Sequence, residues 1–174
     1  MDVLKKVIGF YDASLVRMLG WQRVPGSSIG FLYMVPKVHK GKNVLIEDGT
    51  VIQRGDCYYE IHMVNTNLKN LDTSYGNLFT MLAEELKLIG IHMEKPENRK
   101  YKAVLGITLL HRLARRAGFT IIEIESPVRR KLVSLGENIL RSTLRKEKAK
   151  KDGKKRVAKE CWISQSQLFE MIRD

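Results

Sequence analysis

The chain has 174 residues, 44% of them apolar, and a formal net charge of +12. That describes one domain with room for an appendage, and it excludes a large multidomain machine and a wholly disordered polymer. The only two cysteines, Cys57 and Cys161, exclude a disulfide framework, and no CxxC or Cys/His cluster suggests zinc.

Asp2 to Leu19 reads as an amphipathic helix, with Leu4, Val7, Ile8, Tyr11, Leu15, Met18 and Leu19 at three- and four-residue spacings. Its stripe packs on a sheet or, in the alternative, lies on a membrane surface. Phe31, Tyr33 and Val35 alternate as a strand, with Pro36 marking a bulge or an edge. Val44 to Glu47 and Thr50 to Ile52 flank Asp48-Gly49, a hairpin signal, and Arg54-Gly55-Asp56 turns into a strand over Cys57–Val64. Consecutive strands joined by tight turns predict an antiparallel meander. In the last of them Tyr58, Glu60, His62 and Val64 share one face, and Cys57, Tyr59, Ile61 and Met63 share the core face.

The period then changes. Leu78, Met81, Leu82, Leu86 and Leu88 predict a helix with Asp72, Thr73 or Ser74 as cap and Gly90 beyond its end. Tyr101 to Ile107 reads as a buried strand, Leu109–Ala117 as a helix capped by Thr108, and Phe119 to Ile124 as a final strand. Pro127 opens a helix through about Leu140. Ser164 and Gln167 form a capping box for a short terminal helix with Leu168, Met171 and Ile172. The expected fold class is α/β (α+β), with one mixed, mostly antiparallel sheet and helices on both faces. The division is residues 1–140 as a single α/β domain, 141–159 as a basic helical arm or linker, and 160–174 as a short C-terminal helix.

The charge is concentrated. Residues 141–159 hold 10 Lys/Arg against 2 Asp/Glu, which is +8 of the +12. With no aromatic residue this stretch buries little, so it is a solvated arm. Lys150, Lys151, Lys154, Lys155 and Arg156 are its candidates for gripping a polyanion, either nucleic acid or anionic lipid; the plain alternative is a linker. Residues 141–174 are expected to be dispensable for folding. The purest apolar stretch, Val104–Leu110, is far short of the about 20 residues of a spanning helix, and the lysine-interrupted N-terminus is no secretory signal. A cytoplasmic protein, with the membrane surface as the other location, is expected.

Glu60 and His62 are the most chemically suggestive pair, since a carboxylate two residues from an imidazole on one strand face can orient it or share a proton with a hydroxyl. His111, at a helix start, is the third catalytic candidate. Asn65, Thr108 and Arg112 are candidate ligand contacts. The opposing reading is a half-exposed strand face and a histidine bonded to backbone. As metal ligands Glu60, His62 and His111 lack any fixed spacing, so no metal is assigned. Cys57 reads as a buried structural thiol, and there is no P-loop, GxSxG or HExxH.

Two resemblances attach to these residues. The order of elements and the stretch from Lys102 to Phe119, with its Gly118-Phe119 ending, resemble the GNAT acyltransferase fold. That family's Gln/Arg-x-x-Gly-x-Gly/Ala pyrophosphate loop is absent, because NTNLKNLDTSYGNLF stands in its place, and so no cofactor is assigned and acyl-CoA lacks its motif. Asp48-Gly-Thr-Val-Ile-Gln-Arg-Gly-Asp56, Glu60-Ile-His62, Asn65, Gly106-Ile-Thr-Leu-Leu-His-Arg112 and Gly118-Phe119 resemble the YkoP-like domain of bacteria, which occurs alone or attached to polysaccharide deacetylases. This similarity covers about residues 28–140. It implies an accessory or degenerate acyltransferase-like module near cell-envelope polysaccharide metabolism, with envelope-polysaccharide enzymes as partners. The deacetylase metal motifs are missing. Nucleic-acid binding through 141–159 and peripheral membrane association are the alternatives.

Overall fold

The structure, a computed structural model, describes residues 20–30, 32–63, 74–127, 131, 133 and 157–173. The helix expected over Asp2–Leu19, Asn65, and the polyanion candidates Lys150, Lys151, Lys154, Lys155 and Arg156 lie outside the described residues.

Strands β1 (Gln22–Arg23), β2 (Leu32–Val38), β3 (Val44–Leu45), β4 (Val51–Ile52) and β5 (Cys57–Met63) come first. Helix α1 (Tyr75–Glu94), a 3-10 turn at Pro96–Asn98, β6 (Tyr101–Thr108), α2 (His111–Arg116) and β7 (Thr120–Ile122) follow, and β8 (Lys159–Ser164) and α3 (Gln165–Arg173) close the series. Six strands form one sheet in the order β1-β2-β5-β6-β8-β7, and β3 and β4 pair separately. All pairs in the main sheet are antiparallel except β5 with β6. The mixed, mostly antiparallel α+β architecture is therefore as expected.

The meander is corrected. β2 pairs directly with β5 along its whole length, Leu32 opposite Met63 and Val38 opposite Cys57. The hairpin between them leaves the sheet and folds over one face. Asp48-Gly49 does turn it. Gly49 sits at φ +88°, a conformation glycine adopts without a Cβ penalty, while Asp48 Oδ1 accepts from Thr50 N at 2.9 Å. The parallel step runs from β5 to β6, where the long α1 supplies the crossover that parallel neighbours require.

The segment 160–174, expected as helix alone, opens with a strand. β8 lies between β6 and β7, with Leu105 opposite Trp162 on one side and Thr120 opposite Trp162 on the other. Its face alternation is complete: Cys161 and Ile163 enter one core cluster and Trp162 the other. The capping box is present immediately afterwards, since Ser164 N donates to Gln167 Oε1 at 3.0 Å and Gln167 N donates to Ser164 Oγ at 3.0 Å.

Two clusters hold the sheet. Helices α1, α2 and α3 bury Leu86, Ile89, Met93, Leu113, Ala114 and Leu168 against Met34, Tyr59, Ile61, Val104 and Ile163 on the first face. On the second face the hairpin buries Ile46 and Ile52 against Tyr58, Ala103, Leu105 and Trp162. On the second face the described residues show a β-hairpin as cover, and helical Val133 packs beside it against Leu109, Ile124 and Ala158. Gly90 does not end α1. It lies inside the helix, where an added Cβ would stand 2.7 Å from Ile172 Cδ1 and 3.1 Å from Leu168 O, so its small size lets α3 approach.

Candidate functional site

Side chains alternate along a strand, so Tyr59 and Ile61 enter the helix-covered core while Tyr58, Glu60 and His62 leave β5 on the second face. Tyr58 is covered by the hairpin cluster. Glu60 and His62 stay partly open, with 20% and 24% of their side chains exposed. Glu60 Oε1 lies 3.3 Å from His62 Nε2, so the carboxylate and imidazole expected to cooperate do meet. The pairing register sets Tyr33 opposite His62 and Val35 opposite Glu60 on β2, and Leu105 beside Glu60 on β6.

Trp21, just before β1, completes this group. Its ring stacks on His62 with centroids 3.9 Å apart and planes 7° from parallel. The indole, from the residue just before β1, fixes the imidazole plane while Glu60, from β5, holds one ring nitrogen. A hydroxyl-bearing ligand meeting this surface finds a carboxylate acceptor, an imidazole able to donate or accept, and aromatic faces. Sequence reasoning missed Trp21 because a lone aromatic before a two-residue strand carries no periodic signal.

The remaining candidates fall elsewhere. His111 is the first residue of α2, at the end of β6 that lies beside the end of β5, because Ile61 pairs with Gly106. The two strands are neighbours as the sequence argument required. Helix α2 itself packs on the first face through Leu113 and Ala114, so the strand ends separate the helix body from the Glu60–His62 pair. Thr108 is not the cap residue: Leu110 holds that position, and Thr108 Oγ1 accepts from Leu110 N at 3.0 Å. Arg112 is exposed on the outer side of α2.

A second polar group lies on the first face. Tyr59 OH donates to Asn98 Oδ1 at 3.3 Å and lies 3.3 Å from His92 Nε2, while Asn98 Nδ2 donates to His92 O at 2.9 Å. Burial, with Lys95 nearby, holds His92 below the usual imidazole range, and burial beside Tyr101 pushes the Tyr59 phenol up. This network stitches the end of α1 and the 3-10 turn to β5. Cys161 is buried and its thiol is pushed up to about 12 by that burial and by Glu160, so it is unreactive at neutral pH. Cys57, expected to be buried, is partly exposed. No group of three or more His, Cys, Asp or Glu able to hold a metal occurs among the described residues. Nor is any helix among them long and apolar enough to cross a membrane.

Comparison with known proteins supports the resemblance to the YkoP-like family. The Bacillus subtilis (strain 168) protein described as "Uncharacterized protein YkoP" is 27% identical over 100 residues. That match covers 51% of this chain and 53% of the relative, so it spans about half the length of each. No solved structure matches. The family model for the YkoP domain matches residues 2–172, the whole sheet and its helices included, and the chain therefore belongs to the YkoP domain family.

Proposed function

We propose that this protein is an accessory binding module for a hydroxyl-rich ligand, a glycan of the cell envelope, held on the second face of the sheet by Trp21, Glu60 and His62. One observation carries the reading: the Trp21 ring stacked on His62 while Glu60 contacts the same imidazole. Ring faces take the apolar C–H face of a sugar, and a carboxylate beside an imidazole takes its hydroxyls. The same pair is also able to move a proton, which keeps a degenerate acyltransferase-like chemistry as the alternative. Acyl-CoA has no pyrophosphate loop to bind in this chain, since the sequence before and into α1, NTNLKNLDTSYG, has a single glycine.

The test is a calorimetric titration with β-1,4-linked N-acetylglucosamine oligomers and with soluble glycan fragments of the cell wall. Saturable binding that weakens about tenfold or more in Trp21→Ala and in Glu60→Gln is the expected result, the size of one lost buried contact. Absence of binding, or binding indifferent to both substitutions, refutes the reading.

The charge of the segment 141–159 supports a separate reading, contact with a polyanion through Lys150, Lys151, Lys154, Lys155 and Arg156.

A further inference from the structure

We propose that the outer face of α2, together with Tyr75 at the start of α1, is a docking surface for single-stranded nucleic acid, independent of the glycan site. Helix α2 turns Leu113 and Ala114 into the core and leaves Arg112, Arg115 and Arg116 exposed. Arg116 lies over the Phe79 ring at 4.6 Å and over the Tyr75 ring at 6.0 Å. Tyr75 keeps 50% of its surface in solvent, so one aromatic platform stands open beside a guanidinium already held in place.

Among the described residues no carboxylate forms an ion pair with Arg112, Arg115 or Arg116. The first turn of α1, against which Arg116 rests, contains no acidic residue. The helix's own electrostatics do not account for this arrangement. Arg115 and Arg116 suit the C-terminal end of a helix dipole, but Arg112 is the second residue of α2, where a cation is unfavourable. Three cations on a single turn and a half repel one another unless an anion comes between them.

The occupant follows from the combination. Guanidinium forks match phosphate oxygens, and an open aromatic ring beside them accepts a base face, which is the pairing that single strands use. A lipid headgroup would use the arginines but offers no base face to the Tyr75 ring. A duplex, whose bases are already stacked, would do the same.

The experiment measures anisotropy of a labelled oligothymidylate of about twelve nucleotides with the full chain, between about 50 and 200 mM salt. An abasic strand of equal length and anionic phosphatidylglycerol vesicles are run alongside. Arg112→Ala/Arg115→Ala is expected to reduce the slope of log affinity against log salt by about 1.4, the share of two phosphates on a single strand. Tyr75→Ala is expected to weaken oligothymidylate about tenfold and the abasic strand not at all, while Tyr75→Phe binds as the unaltered chain does. All three altered side chains are exposed, and circular dichroism confirms that the variants fold.

An unchanged salt slope in the double variant overturns the proposal by moving the contact to another basic segment, 141–159 first. Equal affinity for the abasic strand overturns it by removing the base platform. Loss of vesicle binding without loss of oligonucleotide binding assigns the surface to a membrane instead. No binding at the lowest salt overturns it outright.

Discussion

Removing β8 and α3 by ending the chain after residue 156 should abolish cooperative folding, although the composition of the preceding segment suggests a detachable tail. β8 is hydrogen-bonded on both sides, to β6 from Ala103 to Thr108 and to β7 from Thr120 to Ile122. Without it, two strands lose their neighbour, and for β7 that is its only one among the described residues. Trp162, Ile163 and Leu168 go with it, and each is at most 1% exposed. Ile163 and Leu168 are worth about 1.5–3 kcal/mol each by burial alone. Removing a buried tryptophan side chain costs about 3–5 kcal/mol. The total, about 6–11 kcal/mol, is most or all of the about 5–15 kcal/mol that holds a domain of this class together. The assay is thermal and urea unfolding of chain 1–156, followed by circular dichroism and by near-ultraviolet signal. A broad, non-cooperative transition at 25 °C is expected. A cooperative melt within about 5 °C of the full chain, a difference worth about 1–2 kcal/mol, would show that β8 is peripheral and refute the argument.

Gly90→Val should destabilise by about 1–3 kcal/mol through overpacking between α1 and α3, checked by urea midpoint, because a side chain there meets Ile172 and the Leu168 carbonyl. Burial pushes the Asp48 carboxyl up, but the hydrogen bonds it accepts from Ser164 and Thr50 outweigh this and leave it below its usual value of 3.8. Its stabilising contribution is therefore complete above that pH and lost as pH falls through the lower folded-state value; Asp48→Asn should flatten the acid limb of stability against pH below about 4 and leave the neutral side without a slope. Ser164→Ala removes both the Asp48 contact and the α3 cap bond and should cost about 0.5–2 kcal/mol at neutral pH, a loss read from the same curves. Neutralising Lys150, Lys151, Lys154 and Lys155 should flatten the salt dependence of any duplex DNA or anionic vesicle binding, and binding that ignores salt would leave segment 141–159 as a linker.

Local patterns told much of this structure, and pairing told the rest. Alternation in Cys57–Met63 assigned each side chain to its face correctly, and the Asp48-Gly49 turn was visible as a hairpin. Neither says which strand lies alongside: tight turns alone read as a meander, whereas the hairpin folds over Trp162. β8 was hidden for a different reason. Its six residues, KECWIS, begin in a lysine-rich stretch, carry a glutamate and end on a helix cap, so a helix start outweighed a short strand. The helix limit at Gly90 failed because a stop signal and a close-packing position use the same residue, and only the neighbour, α3, distinguishes them. At the candidate site, Glu60 and His62 were legible from the two-residue period, whereas Trp21 reaches them across β2 through tertiary contact alone.

The position of β8 also governs the order in which the protein is made. Among the described residues the other strands of the sheet precede it in the chain, so β6 and β7, which it separates, emerge with open hydrogen-bonding edges. Cotranslational folding can complete β2, β5 and β6 with α1, but the gap beside β6 closes only when residues 159–164 arrive. Until then the nascent chain presents Val104, Leu105 and their neighbours along an unprotected edge, the geometry that recruits a foreign strand. Residues 141–159 carry +8 of the net charge, and like charge on released copies repels, which opposes edge-to-edge association before the sheet is sealed.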